Sequence, residues 1–140
     1  TISTALTAAE TGHLVLATLH TNGASETIER IINVFPPHQQ TQVRTQIALS
    51  LQGVLSQQLL PTVGGDQRVV ATEMLVVNSA VQNLIREEKT HQLESVMQTG
   101  KETGMHTMDY SLRELYVNGD ISRQAAMDKA ADEEMLENLL

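Results

Sequence analysis

Apolar positions along this chain switch between two spacings, and each switch marks a change of element. Ile2, Ala5, Leu6 and Ala9 fall at helical intervals and stop before Gly12, which predicts a helix over residues 1–11. GHLVLATLHTN (12–22) then runs apolar without alternation, the pattern of a strand buried on both faces, and Asn22-Gly23 turns the chain. Ile28, Ile31, Ile32 and Phe35 restore helical spacing over 23–35. Pro36 and Pro37 end that helix and open the next, because a missing N–H is harmless in a first turn. Val43, Ile47, Leu51 and Leu55 recur every four residues, so the new helix is expected to reach into 51–56.

SQQLLP and RVVATEMLVV flank TVGGDQ, a hairpin whose Gly64 and Gly65 can supply a positive φ. Beyond it every segment reads as helix. Ser79 stands three residues before Gln82, a capping-box spacing at the start of AVQNLIREE. Thr90 is placed to cap THQLESVMQT, which Gly100 closes. MHTMDYSLRELYVNG ends at Gly119, and Ser122 is placed to cap ISRQAAMDKA. The fold class is therefore α/β over 1–77, then a small helical bundle over 78–131 and an acidic end over 132–140. No repeat at solenoid spacing and no low-complexity linker interrupts this order.

Composition sharpens the picture at a few points. With one Phe, two Tyr and no Trp, the core must be aliphatic, and six methionines are available to fill its irregular gaps. The net charge of −8 argues against broad electrostatic binding of a nucleic-acid backbone. From Asp120 onward six acids face only Arg123 and Lys129, a net −4 and so half the total, which reads as a solvated acidic helix or tail. Cysteine is absent, which excludes disulfides and thiolate metal sites. No apolar run approaches the roughly 18 residues of a membrane span, and TISTALTAAETG lacks a signal-peptide pattern, so a cytoplasmic location is the expectation. The chain opens in mid-pattern without Met, as a piece of something longer would.

Two of the five histidines bracket the apolar run. A strand from His13 to His20 spans roughly 23 Å, and an odd separation sends the two rings to opposite faces. They do not form a metal pair, and His91 and His106 show no ligand spacing. Ligands of open α/β sheets bind beyond the carboxyl ends of strands, which favours His20, with Thr18, Thr21 and Asn22, over His13. Two structural histidines would produce the same pattern. The chain contains no G-x-x-x-x-G-K-[ST], G-x-G-x-x-G or G-x-S-x-G sequence, and no arrangement singles out a nucleophile.

TALTAAETGHLVLATLHTNGASETIERIINVFPP resembles the segment after the Walker B strand in type II and type IV secretion ATPases, with GHLVLATLHTN as their histidine box. QVRTQIALSLQGVLSQQLLP, RVVATEMLVV and QLESVMQTGKETGMHTMDYSLRELYVNGDISRQAA continue the likeness to residue 131. AVQNLIREEK resembles the AIRNLIRE motif of the pilus retraction ATPases within that family. The resemblance implies the late part of a RecA-like P-loop domain followed by a helical subdomain. It implies a homo-hexameric motor that hydrolyses ATP with Mg2+ and works on the type IV pilus machinery at the inner membrane, without a membrane span of its own. His20 would correspond to the box histidine on the γ-phosphate side, Thr18, Thr21 and His13 to its support. Ala80, Asn83, Leu84, Ile85, Arg86 and Glu87 match the retraction motif, with Gln82 in place of Arg and Val81 in place of Ile. On the helix, Ala80, Val81, Leu84 and Ile85 are expected to share one face. Phosphate loop, magnesium ligands and catalytic glutamate are expected to lie upstream, so the chain alone is expected to be inactive. Arg30 and Arg44 are candidates for reaching a neighbour's nucleotide. An assembly or type II secretion ATPase, and a non-catalytic oligomerisation or docking module, are the alternatives.

Overall fold

Four of the eight α-helices in this chain begin where an N-cap side chain takes up a free N–H group. Asn78 Oδ1 accepts from Val81 N at 3.0 Å, Thr107 Oγ1 from Tyr110 N at 3.2 Å, Ser122 Oγ from Ala125 N at 3.1 Å and Asp132 Oδ1 from Met135 N at 2.9 Å. In the computed structural model, which describes residues 1–140, the order is α1 (Ile2–Glu10), α2 (Ala24–Asn33), α3 (Pro37–Ser50), β1 (Gly53–Pro61), β2 (Arg68–Val76), α4 (Ser79–Arg86), α5 (Leu93–Thr99), α6 (Met108–Val117), α7 (Arg123–Met127) and α8 (Glu133–Leu139).

Some expected boundaries move. The cap of α4 is Asn78, not Ser79, because Ser79 already lies within the first turn. Thr90 caps nothing: it opens a short 3-10 turn, and its hydroxyl is drawn 61 residues back to Glu29 Oε1 at 2.9 Å. Helix α3 stops at Ser50, with Leu51 already extended, and Gly53 starts a strand. The four-residue apolar repeat overran into this strand because 51 and 55 also suit period two. Only Gly65 of the hairpin glycines takes a positive φ, at 75°.

β1 and β2 pair antiparallel from Gly53 opposite Val76 to Pro61 opposite Arg68, and form the sheet alone. One face turns Leu60, Ala71 and Leu75 inward, while Leu55, Leu59 and Val70 stay exposed on the other. The expected strand at 13–19 does not form. Residues 14–20 exchange no backbone hydrogen bond with any other residue, and Leu14 and Leu16 are 85% and 87% exposed. An extended segment becomes a buried strand only when neighbours complete its ladder and cover its faces, and this chain's two strands spend their bonds on each other.

Two apolar cores lie along the inward face of the hairpin, one at each end. The first joins Ala24, Ile28, Ile32, Val43, Ile47, Leu75, Val81, Ile85, Leu93 and Met97 from α2, α3, β2, α4 and α5. The second joins Leu60, Ala71, Met108, Leu112, Ile121, Ala126 and Leu136 from the hairpin and α6–α8. A cut at residues 77/78 would separate elements that share the first core. The acidic end is helical, with its acids outward and Leu136 fully buried. Asp109, only 1% exposed, anchors it by accepting from Ala131 N at 2.8 Å and Asp132 N at 3.0 Å.

Helix α4 ends in a Schellman arrangement: Lys89 N bonds Leu84 O at 2.9 Å and Glu88 N reaches Ile85 O at 3.4 Å. Glu88 occupies the left-handed position, at φ 61°, that glycine usually fills. Glu88→Gly should therefore raise stability by about 1 kcal/mol in urea unfolding, since the left-handed region costs a side-chain-bearing residue roughly 1–2 kcal/mol. Leu136→Ala should lower it by about 2–4 kcal/mol, the usual cost of a large-to-small core change. Glu134→Ala, on the exposed side of the same helix, should change it by less than about 0.5 kcal/mol.

Candidate functional site

The segment that fails to become a strand forms one wall of a groove of about 670 Å³. Ala17 to Asn22 line that wall, Leu55–Gln57 of β1 the other, and Thr27 of α2 the floor. His20 is exposed on this groove and its imidazole makes no hydrogen bond within the chain. Thr18 is exposed beside it, likewise with no intrachain partner. Thr21 is held: Thr27 Oγ1 donates to Gly23 O at 2.8 Å, so the 2.7 Å contact between the two hydroxyls must be a donation from Thr21 to Thr27. Every polar group offered to the groove by His20 and Thr18 is therefore free for a ligand.

His13 lies outside the groove. Its Nδ1 sits 3.3 Å from both Thr11 Oγ1 and Ala8 O, a local contact at the end of α1. His106 is structural as well: its backbone bridges Met74 in both directions at 2.9 and 3.2 Å, and Nε2 meets Thr72 Oγ1 at 2.9 Å. No three acidic or histidine side chains converge in a way that could hold a metal ion.

Helix α4 presents its motif residues on two faces. Val81 and Ile85 are fully buried and Leu84 half-buried, but Ala80 is exposed, contrary to the shared face expected for it. Asn83, Arg86 and Glu87 point to solvent. The Arg86 guanidinium donates to Asn83 Oδ1, and Glu87 pairs with Lys89 at 2.7 Å. That pairing holds the Glu87 carboxyl below its ordinary value.

On α3, Arg44 is 7% exposed and makes a bidentate pair with Glu29 of α2 at 2.9 and 3.0 Å. It is therefore committed to joining α3 to α2, and not free to reach another subunit. Arg30 remains exposed. The bond from Arg44 holds Glu29 below the usual carboxylate range; Thr90 adds to the shift while burial opposes it. Ser25 Oγ donates to Thr90 O at 2.8 Å and ties the same loop to the start of α2.

The groove's other support is Glu73, in the middle of β2 and 7% exposed. Its Oε1 accepts from Ala24 N at 2.8 Å and its Oε2 from Met108 N at 3.3 Å, the first residues of α2 and α6. Glu26 Oε2 accepts from Asn22 N at 3.1 Å and completes the turn after His20. Sequence reading passed over Glu73, although a signal was present. It is an acid in phase with the apolar residues Ala71 and Leu75 on the inward face of a strand.

The chain as a whole is similar to known proteins. The profile of the family described as type II/IV secretion system protein matches residues 1–66. A twitching motility protein of Neisseria gonorrhoeae is 51% identical over 136 residues, 97% of this chain and 36% of that protein. The chain is thus similar to the type II/IV secretion system protein family over its first 66 residues and to this relative over nearly all of its length. The type IV pilus retraction ATPase PilT of Pseudomonas aeruginosa is 49% identical over 93% of the chain and 38% of its own length. A crystal structure of the pilus retraction motor PilT with bound ADP superposes with a TM-score of 0.87 at 48% identity, covering 98% of this chain and 38% of that one. The chain thus spans little more than a third of these family members, and its mixed α/β fold is that of the corresponding part of PilT.

The Glu29–Arg44 bond makes a pH-dependent contribution of definite sign. Because the folded-state pKa of Glu29 lies below its ordinary 4.5, that contribution is complete above 4.5 and is lost as pH falls through the folded value. Urea unfolding at a series of pH values should show the stability advantage over Glu29→Gln level near neutrality and shrinking in acid.

Proposed function

We propose that this chain works as the part of a type IV pilus retraction ATPase that faces the γ-phosphate of ATP and passes motion to a helical subdomain. The observation that carries this is the groove itself, where a free imidazole and a free hydroxyl sit at the end of an extended apolar segment. In a RecA-like domain, that segment would be a strand of the parallel sheet, and its unpaired backbone and bare Leu14 and Leu16 suit such a place. Ligands in these sheets lie beyond the carboxyl ends of the strands, where His20 stands.

The donors suit phosphate oxygens: an imidazole N–H and the hydroxyl of Thr18 reach into the groove, with Thr21 fixed beside them. His20 would stabilise charge that builds on the γ-phosphate during transfer to water, and would register its departure. The groove residues include no carboxylate to serve as a charged Mg2+ ligand. Nor does the sequence hold a phosphate loop. Both functions would belong to the upstream portion of the relatives. On this reading the working unit is a homo-hexamer at the cytoplasmic side of the inner membrane, bound to the pilus machinery. No helix here is long and apolar enough to cross that membrane. Gln82, where the retraction motif has Arg, leaves an assembly or type II secretion ATPase as the second reading. Loss of twitching with pili retained supports retraction, and loss of pili supports the alternative.

In the full-length ATPase, His20→Ala should lower ATP turnover on the order of 10²-fold, the scale set by losing one donor to a developing anion. His13→Ala should cost less than about threefold, since its contacts are local. The isolated chain should hydrolyse no ATP above background. Equal activity of the His20→Ala and unaltered enzymes in a phosphate-release assay would refute the assignment.

A further inference from the structure

We propose that Glu73 is a positioning residue for the His20 groove, one carboxylate that fixes the turn after His20 and the start of α6 to the same point of the sheet. The inference rests on the reading of that groove as a nucleotide site and goes beyond it, because Glu73 itself does not line the groove.

On the inward face of β2, Ala71 belongs to one apolar core, Leu75 to the other, and Glu73 stands between them. Each of its oxygens accepts from the first N–H of a different helix. Ala24 N lies four residues from His20, and Gly23 passes so near that a Cβ built there would stand 3.4 Å from Glu73 Oε1. Glu73 is 93% buried, so releasing either donor leaves a largely desolvated carboxylate oxygen short of a partner, which holds both helix starts to it. The positive ends of α2 and α6 suit a negative group at this place. The remaining contacts of the turn are its own: Thr21 with Thr27, and Asn22 with Glu26. Glu73 supplies the hydrogen bond that ties the end of this turn to the hairpin and, through Met108, to the second core.

An amide in place of the carboxylate keeps shape but turns an NH2 toward one of the two N–H donors, so one helix start is released. In the full-length enzyme, Glu73→Gln is expected to lower kcat about tenfold, with KM for MgATP moved less than about twofold. Placed in a His20→Ala background it should lower turnover no further, because it acts through that ring. Multiplication of the two losses overturns the proposal, as does full activity of Glu73→Gln where His20→Ala is impaired. The 15N shifts of the His20 imidazole give a readout apart from activity. They should change in Glu73→Gln, and unchanged shifts overturn the positioning role. If His20→Ala proves fully active, the nucleotide-site reading falls, while those shifts still decide the role of Glu73. Should Glu73→Gln not fold, hydrogen exchange in the unaltered enzyme decides it: the amides of Ala24 and Met108 should be protected, and free exchange at Ala24 overturns the proposal.

Discussion

A carboxylate buried inside an apolar fold must find hydrogen-bond donors, and the way Glu73 finds them organises this molecule. A mid-strand acid could be met by a basic side chain, but none reaches it. It is met instead by two backbone N–H groups, which helices expose only at their N-termini. Two helices must therefore start at the same point of the hairpin, α2 from one core and α6 from the other. The second core repeats the device with Asp109, whose oxygens take Ala131 N and Asp132 N and seat the start of α8. Packing supplies the driving force in both cores, while these carboxylates decide where the helices begin.

Much of the secondary structure was legible because it is decided locally. The prolines at the start of α3, the turn at Gly65 and the cap at Ser122 act within a few residues of themselves. What escaped reading was decided at a distance. Thr90 had the form of a cap, yet a partner 61 residues away claimed its hydroxyl. Arg44 was a candidate for reaching a neighbour's nucleotide, yet α2 brought Glu29 against it. The apolar run after Gly12 had the composition of a central strand, but a strand is a property of neighbours as much as of residues.

The same distinction governs the site. His20, Thr18 and Thr21 could be picked out together because they are adjacent in sequence at one end of an apolar run, and the groove contains all three. His13 shares the run and the residue type but not the groove, as expected for the opposite end of an extended segment. The opposite wall, from β1, could not be foreseen, since Leu55 had been counted as helical. The shortage of polar partners around His20 distinguishes it from His13 and His106, whose rings are engaged by nearby oxygens. An unengaged imidazole at a groove is what a phosphate-facing role requires, whereas an engaged one is accounted for by the fold.

The junction between the cores carries a further electrostatic consequence. Glu94 of α5 lines a cleft of about 450 Å³ with Glu73, Glu26 and Asp128, and Lys129 is the one basic residue among the lining. Burial raises the pKa of Glu94, and the nearby Asp109, Glu73 and Asp132 raise it further. For an acid, a folded-state pKa above the unfolded value opposes folding once the pH passes the unfolded value, which is the reverse of the Glu29 case. Helix N-termini compensate Glu73 and Asp109, but no donor compensates Glu94. Deprotonated Glu94 thus opposes folding, whereas the ion pair at Glu29 joins α2 to α3 and favours it. The two carboxylates therefore act with opposite sign, Glu29 stabilising the fold near neutrality and Glu94 opposing it beside Glu73.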